Sequence, residues 1–163
     1  MRRTFAKLLY DKMAKDKNIY VLTADLGYMM WDDIKRDFPD RFYNCGSAEQ
    51  LMISMAVGMT YEGKIPVCYS ITPFLLCRPF EMIRNYVNYE CAPVKLVGCG
   101  RNSEYLDNGF SHWAYDDKEI MDIFENIEVF IPESRDDISK EMNKFLYEDG
   151  PSYMNLSKVI YNE

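Results

Sequence analysis

Cys45-Gly46-Ser47-Ala48-Glu49-Gln50 marks the point where an extended piece of the chain gives way to a helix. Ser47 is a candidate N-cap, and Gln50, three residues later, completes the pattern of a capping box. The apolar residues that follow at roughly helical spacing are Leu51, Met52, Met55, Val57 and Met59. The pattern predicts a helix from Ser47 to about Gly63, with the carboxylate of Glu49 in its first turn.

Short β-rich runs and helical stretches alternate on both sides of this segment. We expect strands at 19–23, 42–44, 66–70, 94–98, 129–131 and 153–156, and helices at about 3–16, 47–63, 79–91, 116–124 and 134–146. Strands separated by crossovers of this length pair in parallel. The sequence therefore predicts an α/β fold, an open, mostly parallel sheet with helices on both faces, as one domain over residues 1–163.

Composition narrows the class of function. A net charge of −7 disfavours general binding to nucleic acid or to an anionic membrane. We find no apolar stretch that approaches the length of a membrane span. The five cysteines show no C-x-x-C spacing, and we expect them to be reduced and buried. These features favour a soluble, cytoplasmic protein.

The loops that follow strands carry the candidate functional residues, because ligands of open α/β sheets bind at the carboxyl ends of strands. These loops are 23–27, 70–74, 98–101 and 108–112. His112, the one histidine of the chain, lies in the last of them. Residue types alone leave the roles of His112, Asp25 and Glu49 open. A lone histidine is more often structural than catalytic. Asp25 suits a cap or a turn, and Glu49 suits a helix N-terminus.

Seven segments, in their order and spacing, resemble the pyrimidine-binding (Pyr) domain of transketolases and related thiamine-diphosphate enzymes. They are 24–27, 38–44, 46–50, 62–66, 73–85, 93–95 and 109–112. The resemblance extends from about residue 2 to residue 158. It implies that thiamine diphosphate is the cofactor and that its pyrimidine end is bound by this chain.

The resemblance also gives Glu49 a defined role. The corresponding glutamate hydrogen-bonds N1′ of the aminopyrimidine ring and promotes the imino tautomer that removes the thiazolium C2 proton. Phe74 would pack on the pyrimidine ring, with simple core packing as the alternative. Asp25 and Leu26 match an Asp-Leu pair that lies near the cofactor and the subunit interface.

Substrate-binding residues follow from the same resemblance. His112 would be a catalytic residue beside the reacting carbon, where it stabilises an oxygen of the substrate or intermediate. Lys158 stands where transketolases have an arginine that binds the substrate phosphate, and Arg2 falls near a second such arginine. For both cations the alternative is an ordinary surface position. Asn108 takes the place of an aspartate that contacts a donor-sugar hydroxyl.

Three further departures put the substrate in doubt. Gly100 stands where transketolases often have another histidine, Met29 falls near a phosphate-binding serine, and Phe110 replaces the usual proline. Either the substrate differs from ordinary pentose phosphates, or a partner chain supplies the missing contacts.

A partner is also implied by a missing motif. The diphosphate-binding (PP) domain of the family carries Gly-Asp-Gly followed by Asn, which supplies hard oxygen ligands for Mg²⁺, and this sequence has no such motif. We therefore expect no metal site in this chain, and a separate PP subunit that holds Mg²⁺ in an α2β2 assembly. The alternatives are half-subunits of deoxyxylulose-phosphate synthase-like, 2-oxoacid dehydrogenase β-like or decarboxylating enzymes, and an inactive Pyr-domain module for binding or regulation.

Overall fold

One parallel sheet organises the chain in the computed structural model, which describes residues 1–158. The strands of these residues are β1 (Ile19–Thr23), β2 (Phe42–Asn44), β3 (Ile65–Ile71), β4 (Lys95–Cys99), β5 (Glu128–Phe130) and β6 (Ser152–Leu156). Their order across the sheet is β2-β1-β3-β4-β6-β5, and every neighbouring pair is parallel. The predicted open α/β sheet is confirmed.

Helices make the crossovers between these strands. They are α1 (Arg2–Met13), α2 (Asp32–Asp37), α3 (Glu49–Tyr61), α4 (Thr72–Cys77), α5 (Phe80–Met82), α6 (Asp117–Met121) and α7 (Arg135–Tyr147). The short helix α5 continues into a π-helical segment, Ile83–Tyr89. Turns of 3₁₀ helix lie at Pro39–Arg41, Leu106–Asn108 and Phe110–His112.

The core divides into two layers because successive strand residues point to opposite faces of a sheet. In β1, Val21 packs with α1 and α7, whereas Leu22 packs with α3 and α4. Val97 and Leu96 of β4 divide in the same way. Helices therefore cover both faces, as the sequence predicts.

The start of α7 agrees with the sequence pattern, but the start of α3 does not. The Ser134 hydroxyl accepts a hydrogen bond from the backbone N–H of Asp137, and the Asp137 carboxylate accepts one from the backbone N–H of Ser134. Ser47, by contrast, is not the N-cap of α3. The helix begins at Glu49, and Ala48 precedes it without a side-chain capping bond.

A tight turn explains the later start of α3. Gly46 has a φ of +68°, and its carbonyl accepts a hydrogen bond of 2.7 Å from the N–H of Ala48. The chain is therefore still turning at Ser47, which is exposed. Glu49 consequently becomes the first residue of the helix. At the other end the helix stops at Tyr61, close to the predicted end at Gly63.

Two further expectations are wrong. Residues 72–74, expected in the loop after β3, instead form the start of α4, which begins directly after β3 with a proline in its first turn. Its six residues are too few and too apolar to show a helical period. Cys77 and Cys91 are exposed rather than buried, because they lie at the end of α4 and just after the π-helical segment, and Cys45 is only half-buried. All five cysteines are free thiols.

Candidate active site

The carboxyl ends of the strands bring the candidate residues to one edge of the sheet. Glu49 opens the helix after β2, Phe74 lies in the helix after β3, and His112 lies in the segment after β4. Each follows a different strand of a parallel sheet, so their proximity follows from topology.

Glu49 is the buried acid of this edge, with 1% of its surface exposed. Its Oε1 accepts a hydrogen bond of 2.9 Å from the Ser70 hydroxyl at the end of β3. Its Oε2 accepts one of 2.7 Å from Nη1 of Arg78, which follows α4. Both oxygens are therefore held by side chains, and a buried charge without such partners would be costly.

A cavity of about 530 Å³ lies beside this carboxylate. Its lining residues are Ser47, Ala48, Glu49, Gln50, Leu51, Ser54 and Arg78. The size admits a six-membered heterocycle, and Glu49 offers acceptor oxygens to ring or exocyclic N–H groups. The residues present therefore fit an aminopyrimidine ring.

A row of side chains in contact with one another leads from Glu49 towards the other side of the edge. The guanidinium of Arg78 lies 3.8 Å from the centroid of the Phe74 ring. Phe74 meets His112 edge to face, with ring centroids 4.8 Å apart. Tyr105 lies next, 6.1 Å from His112 between centroids, and the ammonium of Lys158 lies 4.4 Å above the Tyr105 ring.

Lys158 ends this row at a basic cavity of about 730 Å³. Arg2 lines the same cavity, so the structure brings the two predicted phosphate-binding cations together. Burial by itself lowers the pKa of Arg2, but its interactions with Cys99, Tyr69 and Tyr105 outweigh burial and raise that pKa above its usual value. Arg2 therefore stays charged throughout the physiological range.

Asp25 and Leu26 lie in the loop after β1. Asp25 has a φ of +54°, and its backbone N–H and carboxylate both pair with the Asn44 side chain, at 3.0 and 3.1 Å. The carbonyl of Leu26 accepts a hydrogen bond from the Thr23 hydroxyl. Within residues 1–158 no hydrogen bond joins either residue to Glu49, so their visible role is to shape this loop.

The segment that carries His112 consists of two consecutive 3₁₀ turns. Asn108 ends the first turn and is exposed, and Gly109 follows with a φ of +79°. His112 is half-buried, and its Nδ1 lies 3.1 Å from the Ser111 hydroxyl. Phe110 is 83% exposed, so replacing the family's proline leaves a large apolar side chain on the surface.

Gly100 and Met29, the other two departures from the transketolase pattern, lie in different surroundings. Gly100 has a φ of +90°, and a Cβ there would lie 2.5 Å from the Tyr105 ring. The space beside Gly100 is therefore filled by Tyr105, and a histidine at this position would require that ring to move. Met29 is exposed with a φ of +58°.

Sequence reasoning did not assign roles to Ser70, Arg78 and Tyr105, although each of them contacts a predicted site residue. Ser70 and Arg78 hold the two oxygens of Glu49, and Tyr105 connects His112 to Lys158. Arg78 carried one available signal, since a cation between Cys77 and Pro79 interrupts an otherwise apolar run. Tyr105 carried none, because its loop has no periodic pattern.

Two kinds of site are not found in the part of the chain that the structure describes. No group of three His, Cys, Asp or Glu side chains there is arranged to hold a metal ion. None of the helices described is both long enough and apolar enough to cross a membrane.

Comparison with known proteins identifies the family. The family model described as "Transketolase, pyrimidine binding domain" matches residues 1–163. A putative transketolase C-terminal section from Methanocaldococcus jannaschii is 33% identical over 166 residues, which covers 99% of this chain and 52% of the relative. An apulose-4-phosphate transketolase subunit from Actinobacillus succinogenes is 33% identical over 121 residues, covering 74% of this chain and 39% of the relative.

A solved structure agrees with these relatives. It is described as a split gene transketolase, an inactive β4 tetramer, and it superposes with a TM-score of 0.87 at 31% identity, covering 99% of this chain and 52% of that chain. The chain thus spans about half the length of this structure and of the Methanocaldococcus jannaschii relative. With the family model matching its whole length, the chain belongs to the transketolase pyrimidine-binding domain family.

Proposed function

We propose that this chain supplies the pyrimidine half of a thiamine-diphosphate site in a split transketolase-like enzyme. The enzyme transfers a two-carbon ketol unit between sugar phosphates, and a separate PP-domain subunit holds the diphosphate and Mg²⁺. The observation that carries this proposal is the buried carboxylate of Glu49, held by Ser70 and Arg78 beside a cavity of about 530 Å³. Membership of the family supports the choice of cofactor.

Glu49 is the acid that holds a proton at N1′ of the pyrimidine ring. Ser70 and Arg78 hold one oxygen each, which limits rotation of the carboxylate. A carboxylate offers about four lone-pair positions, so two bonds leave room for a third from the ring. When bound, thiamine diphosphate supplies the nucleophilic carbon and the electron sink of the reaction.

The row of side chains that leads away from Glu49 supplies the remaining roles. Phe74 does not line the cavity beside Glu49, and Arg78 lies over its ring, so Phe74 packs against the pyrimidine ring only when Arg78 moves aside. His112 beside Phe74 hydrogen-bonds an oxygen of the substrate. Asn108 donates to or accepts from a sugar hydroxyl. Arg2 and Lys158 bind the phosphate from the basic cavity, Lys158 as a point charge without the fork of an arginine.

An α2β2 assembly completes the site. Asp25 and Leu26 lie near its interface, and the neighbouring Tyr28 is 93% exposed. An aromatic residue that contacts a partner is exposed in this way when the subunit is alone. The solved relative is described as an inactive β4 tetramer, which supports the need for a second kind of subunit. Five free thiols suit a reducing compartment, so we place the enzyme in the cytoplasm.

A second candidate is the half-subunit of a related thiamine-diphosphate enzyme, acting on a 2-oxo acid. The occupied space beside Gly100 favours it, because the Tyr105 ring excludes a histidine that transketolases often use. An inactive binding or regulatory module is the non-enzymatic alternative. The buried, hydrogen-bonded Glu49 speaks against that alternative, since a module without chemistry has no need of the acid.

Reconstitution tests the proposed function. The chain is mixed with a purified PP subunit, one that carries Gly-Asp-Gly and the later Asn, together with thiamine diphosphate and Mg²⁺. We expect ketol transfer between sugar phosphates in the mixture and in neither chain alone. Turnover of 2-oxo acids without ketol transfer would establish the second candidate, and no turnover of either substrate class would favour the inactive module.

A further inference from the structure

A further cavity of about 460 Å³ lies between α6 and the strands β5 and β6. Its wall is apolar and consists of Met121, Val129 and Ile131, the last two of which are exposed. Among residues 1–158, none lines both this cavity and either the cavity beside Glu49 or the basic cavity. It is therefore separate from the cavities of the proposed active site, and its size is typical of small-molecule sites.

The floor of this cavity is polar and is built on β6. Tyr153 and Asn155 are alternate residues of that strand, so their side chains point to the same face of the sheet. Tyr153 belongs to the same core layer as Met121 of α6, and Asn155 is 1% exposed. Both side chains donate to Oδ2 of Asp117, the Tyr153 hydroxyl at 3.2 Å and the Asn155 amide through Nδ2.

The bond to Asp117 leaves the other end of the Asn155 amide without a partner. Because Nδ2 faces a carboxylate, the remaining atom is the acceptor Oδ1. Within residues 1–158 this buried oxygen accepts no hydrogen bond. A buried acceptor without a donor costs free energy, and Asn155 lines the cavity. A ligand with an N–H or O–H group at this point would remove that cost.

The charges around the cavity favour a cation. Asp117 and Asp122 both line it, and no ion pair within residues 1–158 includes either carboxylate. Arg101, one of the two cations of the lining, donates through Nη2 to two backbone carbonyls and also interacts with Glu141 of α7. The other cation, Lys118, is exposed. With Arg101 compensated in this way, the lining has two acids against one exposed lysine.

We propose that this cavity binds a primary aliphatic amine. An ammonium group carries three N–H donors. It donates one to Oδ1 of Asn155 and another to the carboxylate of Asp117, while the hydrocarbon body lies along Met121, Val129 and Ile131. This inference goes beyond the proposed function and does not rest on it, because it uses none of the residues assigned there.

NMR titration of the isotope-labelled full chain tests the proposal. The probes are isoamylamine and isoamyl alcohol, which have the same branched hydrocarbon body and differ in the charged group. We expect the amine to bind with about millimolar affinity, as suits a ligand with so few heavy atoms, and at least tenfold more tightly than the alcohol. The backbone amides whose resonances shift should lie in α6, β5 and β6.

Two variants locate the ligand. Asn155→Leu keeps the size of the side chain but removes the acceptor, so the affinity for the amine should fall at least tenfold. Ile131→Ser shortens the exposed wall and should weaken the binding of the amine about fivefold, and it provides the test if Asn155→Leu does not fold. The matched control is Ile123→Ser, because Ile123 is an exposed isoleucine outside the cavity lining. Its affinity for the amine should be unchanged.

Each other outcome overturns the inference. Equal affinity for the amine and the alcohol would show that the acceptors of the floor do not select an ammonium group. No binding, or shifts confined to other elements, would show that the cavity is not a ligand site, and equal weakening by Ile131→Ser and Ile123→Ser would remove the wall from it. These titrations need neither cofactor nor partner, so their result is independent of the reconstitution assay.

Discussion

Two charged side chains, Glu49 and Lys95, are buried at opposite ends of the parallel sheet, and their surroundings differ in kind. Lys95, at the amino end of β4, is 2% exposed, and its ammonium donates to the backbone carbonyls of Glu148 and Gly150 at 3.1 and 2.8 Å. Glu49, at the carboxyl edge, is held instead by two side chains. One of these, Arg78, has a side chain that is 44% exposed.

The difference separates a charge that is held by the backbone from the charge that we propose to be functional. The carbonyl partners of Lys95 are fixed by the backbone, and they join β4 to the loop before β6. The partners of Glu49 are side chains instead, and the cavity beside Glu49 is about 530 Å³ against about 250 Å³ beside Lys95. Burial alone therefore does not distinguish the two charges, whereas the proposed role of Glu49 requires the adjoining cavity, which is the larger of the two.

Glu49→Gln should have the largest effect on function. The amide keeps the shape of the side chain but cannot hold and release the proton at N1′. We expect kcat of the reconstituted enzyme to fall at least ~100-fold, in line with the loss of an acid–base group, while the midpoint of urea unfolding changes little. Steady-state kinetics and urea titration measure the two effects.

Glu62→Gln is the matched control, because Glu62 is an exposed glutamate just beyond the other end of α3. The reconstituted enzyme that carries Glu62→Gln should have the same kcat as the unmodified enzyme. Near-normal turnover of the Glu49→Gln enzyme would remove Glu49 from the chemistry and place it with Lys95 as a structural charge.

Lys95→Met should change how stability depends on pH. Burial lowers the pKa of Lys95 from 10.5 to about 8, against the opposing influence of nearby Glu128, Glu148 and Asp149. Between those two values the unfolded chain binds more protons than the folded one, so the contribution of Lys95 to stability rises with pH. From pH 7 to pH 10 the unmodified protein should gain about 2 kcal/mol relative to Lys95→Met.

Urea unfolding of both proteins at pH 7 and pH 10 measures this gain. Buried Cys68 and Tyr69 titrate in both proteins, so their contributions cancel in the difference. A difference in stability that is the same at both pH values would show that Lys95 is not held in an environment that disfavours its charge.

Arg78→Gln should have a smaller effect on function. The variant loses the ion pair with Oε2 of Glu49 and the stacking on Phe74, while Ser70 still holds Oε1. We expect kcat/KM to fall about tenfold, which corresponds to ~1.4 kcal/mol. The kcat/KM of Arg78→Lys should lie between the values of the unmodified enzyme and of Arg78→Gln, because lysine keeps the charge but lacks the planar group that stacks on the ring.

Arg84→Gln is the control for this series, since Arg84 is an exposed arginine of the π-helical segment. If Arg84→Gln and Arg78→Gln lowered kcat/KM equally, Arg78 would contribute only to the general charge of the surface, and the distinction between Glu49 and Lys95 would lose its main support.

The sheet was predictable because its signal is local. Strand runs such as 19–23 are apolar and bounded by turn residues, and their alternation with helices specifies parallel pairing. The start of α3 was not predictable from the cap pattern, because a positive φ at Gly46 delays the helix beyond Ser47. The helix α4 was missed because six apolar residues show no period.

The site was predictable only in part, for a physical reason. The sequence pattern and the family resemblance point to Glu49, Phe74 and His112, and the structure brings them to one edge. Their contacts with Arg78 and Tyr105 depend on how separate loops pack after folding. Such tertiary contacts leave no periodic signal in the sequence.

Cofactor affinity tests the central claim most directly, namely that Glu49 belongs to a site of which this chain holds only the pyrimidine half. Thiamine diphosphate with Mg²⁺ is titrated calorimetrically into the chain alone, into the PP subunit alone and into their mixture. We expect tight binding in the mixture and very weak binding to this chain alone, because the diphosphate ligands lie on the partner. Binding to the isolated chain as tight as binding to the mixture would contradict the account.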